Sequence, residues 1–153
     1  MKKIVAILSI SFLFSSEKNH SLKSDDIFNF LMGEYCFLSQ NFHEANQYYL
    51  NVEDNINFES SVLYSSIAES NLEIGNFEKS LSFFLKSYNL NQHDENLIIL
   101  IYNLYIILGY FDNAESFLIH ASMNNGENIY LFDTLFHHFL NKKDYLEAIE
   151  VLA

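Results

Sequence analysis

GNFEKS at residues 75–80 returns as GYFDNA at 109–114, and in looser form as QNFHEA at 40–45 and KDYLEA at 143–148. The aromatics of the four strings, Phe42, Phe77, Phe111 and Tyr145, are spaced by 35, 34 and 34 residues. A period of that size marks a stack of like supersecondary units. Each string has the same grammar: a turn residue, a polar or small loop residue, an aromatic, and three positions later a small residue from the set Ala45, Ser80, Ala114 and Ala148. The small residue lets a new helix start close against its neighbour.

Upstream of the strings runs a helical period, clearest in Tyr64, Ile67, Ala68 and Asn71 and again in Ile98, Ile101, Tyr102 and Tyr105. Spacings of three and four place each set on one face of a helix. Downstream, Ala45 with Tyr49, Ser80 with Phe84, Ala114 with Leu118 and Ala148 with Leu152 give the second helix of each unit. Gly75 and Gly109 stand where the first helix must stop, at a site suited to left-handed backbone, which glycine adopts without steric cost. Gln40 and Lys143 take that place in the outer units, at a cost of about 1 kcal/mol each. Asn41, Asn76 and Asp144 follow as candidate side-chain caps for the second helix, and Tyr110 breaks that pattern. A single hairpin cannot bury both of its apolar faces, so the units are expected to stack into an all-α solenoid of helix-turn-helix hairpins.

Composition agrees. Half of the 153 residues are apolar, proline is absent and glycine occurs four times, which suits helices joined by short turns. The net charge is −12 and all eight cations are lysines. Such an acidic chain repels phosphate backbones and anionic lipid, which argues against a nucleic-acid partner and for a basic or apolar one. Cys36 is the only cysteine, so no intrachain disulfide and no cysteine-based zinc site can form; it reads as a small core residue.

The N-terminus opens Met1, Lys2, Lys3, runs without charge from Ile4 to Phe14 and turns polar at Ser15. That is the layout of a secretory signal, and export is expected, although Leu13 or Phe14 falls where cleavage prefers a small side chain. The apolar run is shorter than the roughly 20 residues a bilayer span needs. The bland alternative is a short helix packing on the first hairpin. The organisation expected is a signal over 1–16, a linker over 17–25 and a repeat domain over 26–153, with units at about 26–60, 61–94, 95–128 and an incomplete 129–153.

The pattern resembles the tetratricopeptide repeat from Asp26 to Ala153. The first unit matches through Met32, Gly33, Ala45 and Tyr49, and the second through Tyr64, Ile67, Ala68 and Phe84. The third matches through Ile101, Tyr105, Ala114 and Ala121, and the fourth through Phe132, Leu135, Phe139 and Ala148. Departures are Asn29 and Asn71 at sites usually large and apolar, Tyr102 and Phe136 at a small-residue site, and no terminal proline in any unit.

The resemblance implies that the first helices line a groove holding a peptide or helix of another protein. Groove positions would be Ile27, Phe30, Glu34 and Phe37 in the first unit and Ser65, Glu69, Leu72 and Glu73 in the second. The third would add Ile99, Asn103 and Ile106, and the fourth Tyr130, Asp133 and His137. Carboxylates mixed with aliphatics and aromatics suit a segment with apolar anchors and some lysine or arginine. The cationic clamp with which some family members grip a C-terminal carboxylate is missing, since Phe30, Glu34, Ser66, Asn96 and Leu100 occupy that face.

Leu97–Phe111 is apolar almost all round, which predicts a helix covered by neighbouring hairpins or by a partner over Ile99, Ile106 and Ile107. No polar capping helix follows the last hairpin, so either the array continues or its open edge self-associates. Asp133 and His137 lie one turn apart, but two ligands do not close a metal site. No phosphate-cradling glycine loop or nucleophile motif is present, and neither an enzyme nor a cofactor is expected. Two other readings remain: a recruitment segment of a larger regulator or enzyme, and an RNA-binding helical repeat, for which eight lysines are few.

Overall fold

The computed structural model describes residues 23–56, 59–126 and 128–151. The expected signal at 1–16 and most of the linker lie outside them. The described residues form eight helices and no strand. The chain divides into two units at Leu90 and Asn91. The first holds α1 (Ser24–Leu38), α2 (Phe42–Asn55), α3 (Ser61–Glu73) and α4 (Phe77–Leu90). The second holds α5 (Glu95–Ile107), α6 (Phe111–Asn124), α7 (Ile129–Lys142) and α8 (Tyr145–Glu150). Each unit is two helical hairpins, and within each the second helix of one hairpin packs on the first helix of the next. None of these helices is long and apolar enough to cross a membrane.

The four strings are the four turns inside the hairpins. Gly75 and Gly109 have φ of 79° and 76°, and Gln40 and Lys143 both take φ 64°, so the two side-chain-bearing residues accept the left-handed backbone. The residue after each, Asn41, Asn76, Tyr110 or Asp144, donates its N–H back to Cys36, Asn71, Tyr105 or Phe139 at 2.8–2.9 Å. The preceding N–H bonds one residue further along, from Gln40 to Phe37, Gly75 to Leu72, Gly109 to Ile106 and Lys143 to Leu140, each at 3.0 Å. This pair of main-chain bonds closes a helix through a left-handed residue.

The side-chain capping expected of Asn41, Asn76 and Asp144 is therefore corrected. Neither Asn41 nor Asp144 makes a side-chain cap, and Asn76 turns its amide nitrogen back to Asn71 Oδ1 at 3.5 Å. Their carbonyls instead accept from Ala45, Ser80 and Ala148, as that of Tyr110 accepts from Ala114, which starts the second helix. Because the main chain makes these bonds, Tyr110 serves as well as an asparagine. Side-chain caps occur at the other junctions. Ser60 accepts from Leu63 N–H, Asp94 from Leu97 N–H, and Asn128 from the N–H groups of Tyr130 and Leu131.

Ala45, Ser80, Ala114 and Ala148 are all buried, where the two helices of each hairpin approach. In the first hairpin the Tyr49 ring packs directly against Gly33; a Cβ there would stand 2.5 Å from Tyr49 Cε1. Cys36 is buried as a small core residue. Asn71, at a site usually apolar, is fully buried and satisfied by donating to the Ile67 carbonyl at 2.7 Å. The tightly apposed hairpins carry Gly33 or Ala68 where the third carries Tyr102, and α5 and α6 approach closely over less of their length.

Helix α5 buries Leu97, Ile98, Ile101 and Leu104, half-covers Ile99, Leu100 and Ile106, and leaves Ile107 exposed. The apolar stretch thus ends one side short of full cover. Phe111 belongs to the next helix, beyond the Gly109 turn.

Candidate functional site

In the first unit the expected groove residues meet where α1 and α3 lie side by side. Ser66 Oγ on α3 donates to Glu34 Oε1 on α1 at 3.4 Å, and Tyr49 from α2 donates its hydroxyl to the same oxygen at 2.9 Å. Burial, reinforced by the Glu34 charge, raises the Tyr49 hydroxyl far out of its titration range, so it is a standing donor beneath the carboxylate. Glu69 stands one turn beyond Ser65 on α3, with Glu73 a further turn on. Glu69 is exposed as a residue, with Glu34 and Glu73 the charges that act on its carboxylate. Loss of hydration, then the charge of Glu34, then that of Glu73, push it up to about 7. Ile27, Phe37 and Leu72 on the same two helices are half-buried.

Phe30 does not join that surface. It is 2 % exposed, turned into the first hairpin with its ring 5.8 Å from that of Tyr49, so its place in the groove is corrected to the core. Ser65 is half-buried and shares a hydrogen bond of 2.9 Å with Ser87, which spends its hydroxyl inside the second hairpin.

The second unit presents Ile99, Asn103 and Ile106 from α5 and Tyr130, Asp133 and His137 from α7. Asn103, Tyr130, Asp133 and His137 are exposed, and His137 Nε2 lies 3.6 Å from Asp133 Oδ1 as a solvated pair within one helix turn. Among the described residues no group of three or more His, Cys, Asp or Glu is placed to hold a metal ion.

Beside Ile106 lies a cleft of about 390 Å³ lined also by Tyr102, Phe111, Glu115, His138 and Lys142. A hydrogen-bonded chain runs along it. Tyr102 Oη lies 3.0 Å from His138 Nδ1, His138 Nε2 lies 3.1 Å from Glu115 Oε2, and Lys142 Nζ donates to the same Glu115 oxygen at 2.6 Å. The Lys142 bond holds Glu115 below its ordinary range against the opposing effect of burial, and the His138 bond adds to it. An ionised carboxylate only accepts, so Nε2 carries hydrogen toward Glu115, and Nδ1 of a neutral ring then accepts from Tyr102. Burial raises the Tyr102 hydroxyl.

Sequence reasoning missed this chain. Tyr102 carried the one signal, a large side chain at a small-residue site; its partners come from two other helices and share no spacing with it.

No protein-family model and no curated protein matches the sequence. Solved structures do match in fold. A crystal structure of MamA superposes with a TM-score of 0.67 at 12% identity, covering 98% of this chain and 84% of that one. MamA from Desulfovibrio magneticus RS-1, residues 41 to the end, gives 0.66 at 10% identity over 86% and 73% of the two chains. YrrB, described as a TPR protein with an unusual peptide-binding site, gives 0.65 at 14% identity over 99% and 74%. At these identities the likeness is one of fold, and the fold is the tetratricopeptide type.

Proposed function

We propose that this tetratricopeptide-type chain is a non-enzymatic adaptor that holds a basic, apolar-anchored segment of another protein against the α1–α3 face of its first unit. The observation that carries the reading is the Glu34, Glu69 and Glu73 carboxylate group flanked by half-buried Ile27, Phe37 and Leu72. A carboxylate pushed up to about 7 by loss of hydration and then by the charges of Glu34 and Glu73 gains most from an arriving cation, which takes over the role of the proton. The peptide-binding site of YrrB supports a peptide as the cargo. Within the second unit, Ile106 and the neighbouring cleft offer a place for an apolar side chain.

The test is fluorescence anisotropy with a Leu/Lys amphipathic peptide and its Leu/Glu counterpart. The Lys peptide binds more tightly, its affinity rises between pH 6 and 8 as Glu69 gives up its proton, and a Glu69→Gln, Glu73→Gln double variant weakens it and flattens the salt dependence. Equal affinity for both peptides overturns the reading.

The layout of residues 1–14 supports placing this adaptor outside the cytoplasm, in assembly of an envelope or secreted complex. Fusion to a reporter that is active only after export checks that. A second surface supports self-association through the last hairpin: Ile149 on α8 is 65 % exposed.

A further inference from the structure

The stacking of hairpins uses recurring positions, and the two outermost helices of the described chain carry the unmatched halves of that seam. On the second helix of a hairpin the seam position is Asn46, Leu81, Glu115 or Ile149 under the same 35- and 34-residue offsets. Asn46 donates to Ser70 Oγ at 2.7 Å and Glu115 meets His138 at 3.1 Å, each reaching the first helix of the next hairpin in its unit. Leu81 is buried. Ile149 alone of the four is a largely exposed aliphatic.

The receiving side shows the same break. Ser70, Leu104 and His138 correspond to Tyr35 on α1, and Leu63, Leu97 and Leu131 correspond to Phe28. Leu63, Leu97, Leu131, Ser70 and Leu104 are at most 5 % exposed, whereas Phe28 and Tyr35 are 59 % and 65 % exposed. Where the internal pairs are Asn with Ser and Glu with His, the outer positions hold Ile on one side and Phe and Tyr on the other. Their apolar surfaces match, and only the Tyr35 hydroxyl brings a polar group that must keep water or find a partner on burial.

We propose that copies of this chain associate head to tail, Ile149 on α8 of one copy seating against Phe28 and Tyr35 on α1 of the next in the register of the internal hairpin seam. The proposal rests on the self-association reading above and names the second surface; it is independent of the peptide groove. A contact between two different patches does not stop at a dimer, since each copy keeps one half free, so mass grows with concentration until a ring closes.

The test is light scattering coupled to size-exclusion chromatography on the full chain over a concentration series, with Tyr35→Asp and Ile149→Asp. Both sites are exposed, so neither change disturbs the core, and unchanged thermal unfolding verifies this. The wild type grows in mass with concentration. Each variant alone stays monomeric, with association weakened about tenfold or more. An equimolar mixture of the two forms a 1:1 complex, because one retains the α8 half and the other the α1 half.

Association that survives Tyr35→Asp but not Ile149→Asp overturns the head-to-tail register while leaving self-association through α8. A wild type that is monomeric at every concentration overturns both. Slow amide exchange along α1 in that monomer would point to residues of the same chain as the occupant.

Discussion

Replacing Glu69 by glutamine should stabilise the protein, and only at neutral to alkaline pH. The glutamate is pushed from its ordinary 4.5 to about 7 by loss of hydration, Glu34 and Glu73. A carboxyl whose folded pKa lies above its unfolded one binds its proton more tightly when folded. Stability is then greatest below about 4.5, falls as pH rises toward 7 and levels off above. At 1.36 kcal/mol per pH unit the shift has a ceiling of about 3 kcal/mol. Part of the side chain reaches solvent, and screening leaves about 1 kcal/mol. Glutamine is close in shape to the protonated acid, so Glu69→Gln should match the wild type near pH 4.5 and exceed it by about 1 kcal/mol at pH 8. In urea unfolding followed by helical circular dichroism, that is a midpoint about 0.5 M higher, taking a slope near 2 kcal/mol per molar. Equal midpoints at pH 8, or a difference that does not vary with pH, would falsify the crowded-carboxylate account of the α1–α3 face. A carbon-13 titration of the Glu69 carboxyl reads the same quantity directly.

Gly33→Ala should cost about 1–3 kcal/mol in urea unfolding, because the added methyl meets a Tyr49 ring fixed by Phe30 and by its bond to Glu34. Gln40→Gly and Lys143→Gly should each raise stability by up to about 1 kcal/mol, since both residues hold a φ of 64°; thermal melts check this, and lower melting temperatures would show that their side chains contribute more than the backbone strain costs. Glu115 has a depressed pKa, so its contribution is present above its ordinary 4.5 and is lost as pH falls through the folded value. Glu115→Ala should therefore destabilise the second unit by about 1 kcal/mol at pH 7 and by little near pH 3. Paired urea curves at the two pH values measure it.

The hairpins were legible because their requirements are local. A left-handed turn residue, a small residue five positions on and an aromatic between them occupy one short string, and the string recurs. What the string does not encode is which group makes each bond. Asn41 and Asp144 have the chemistry of caps, but the turn had already supplied main-chain partners, so their side chains are not used. Phe30 sits at a position that the tetratricopeptide resemblance assigns to the groove, yet Gly33 one turn later leaves room for Tyr49, and the two aromatics pack together. The chain from Tyr102 through His138 and Glu115 to Lys142 was invisible for a different reason. Its members come from α5, α6 and α7, and only the stacking of two hairpins brings them within bonding distance.

The main-chain closure of the four turns bears on how such a protein can change. Glycine, glutamine and lysine all fill the left-handed site, and asparagine, tyrosine and aspartate all fill the next, with the same pair of bonds. Side-chain identity at the turns is therefore nearly free to drift, while the volumes at Gly33, Ala45 and Tyr49 are not. A lineage under that regime keeps its architecture as its letters disperse, so its ancestry is better traced through residue sizes and φ angles than through sequence identity.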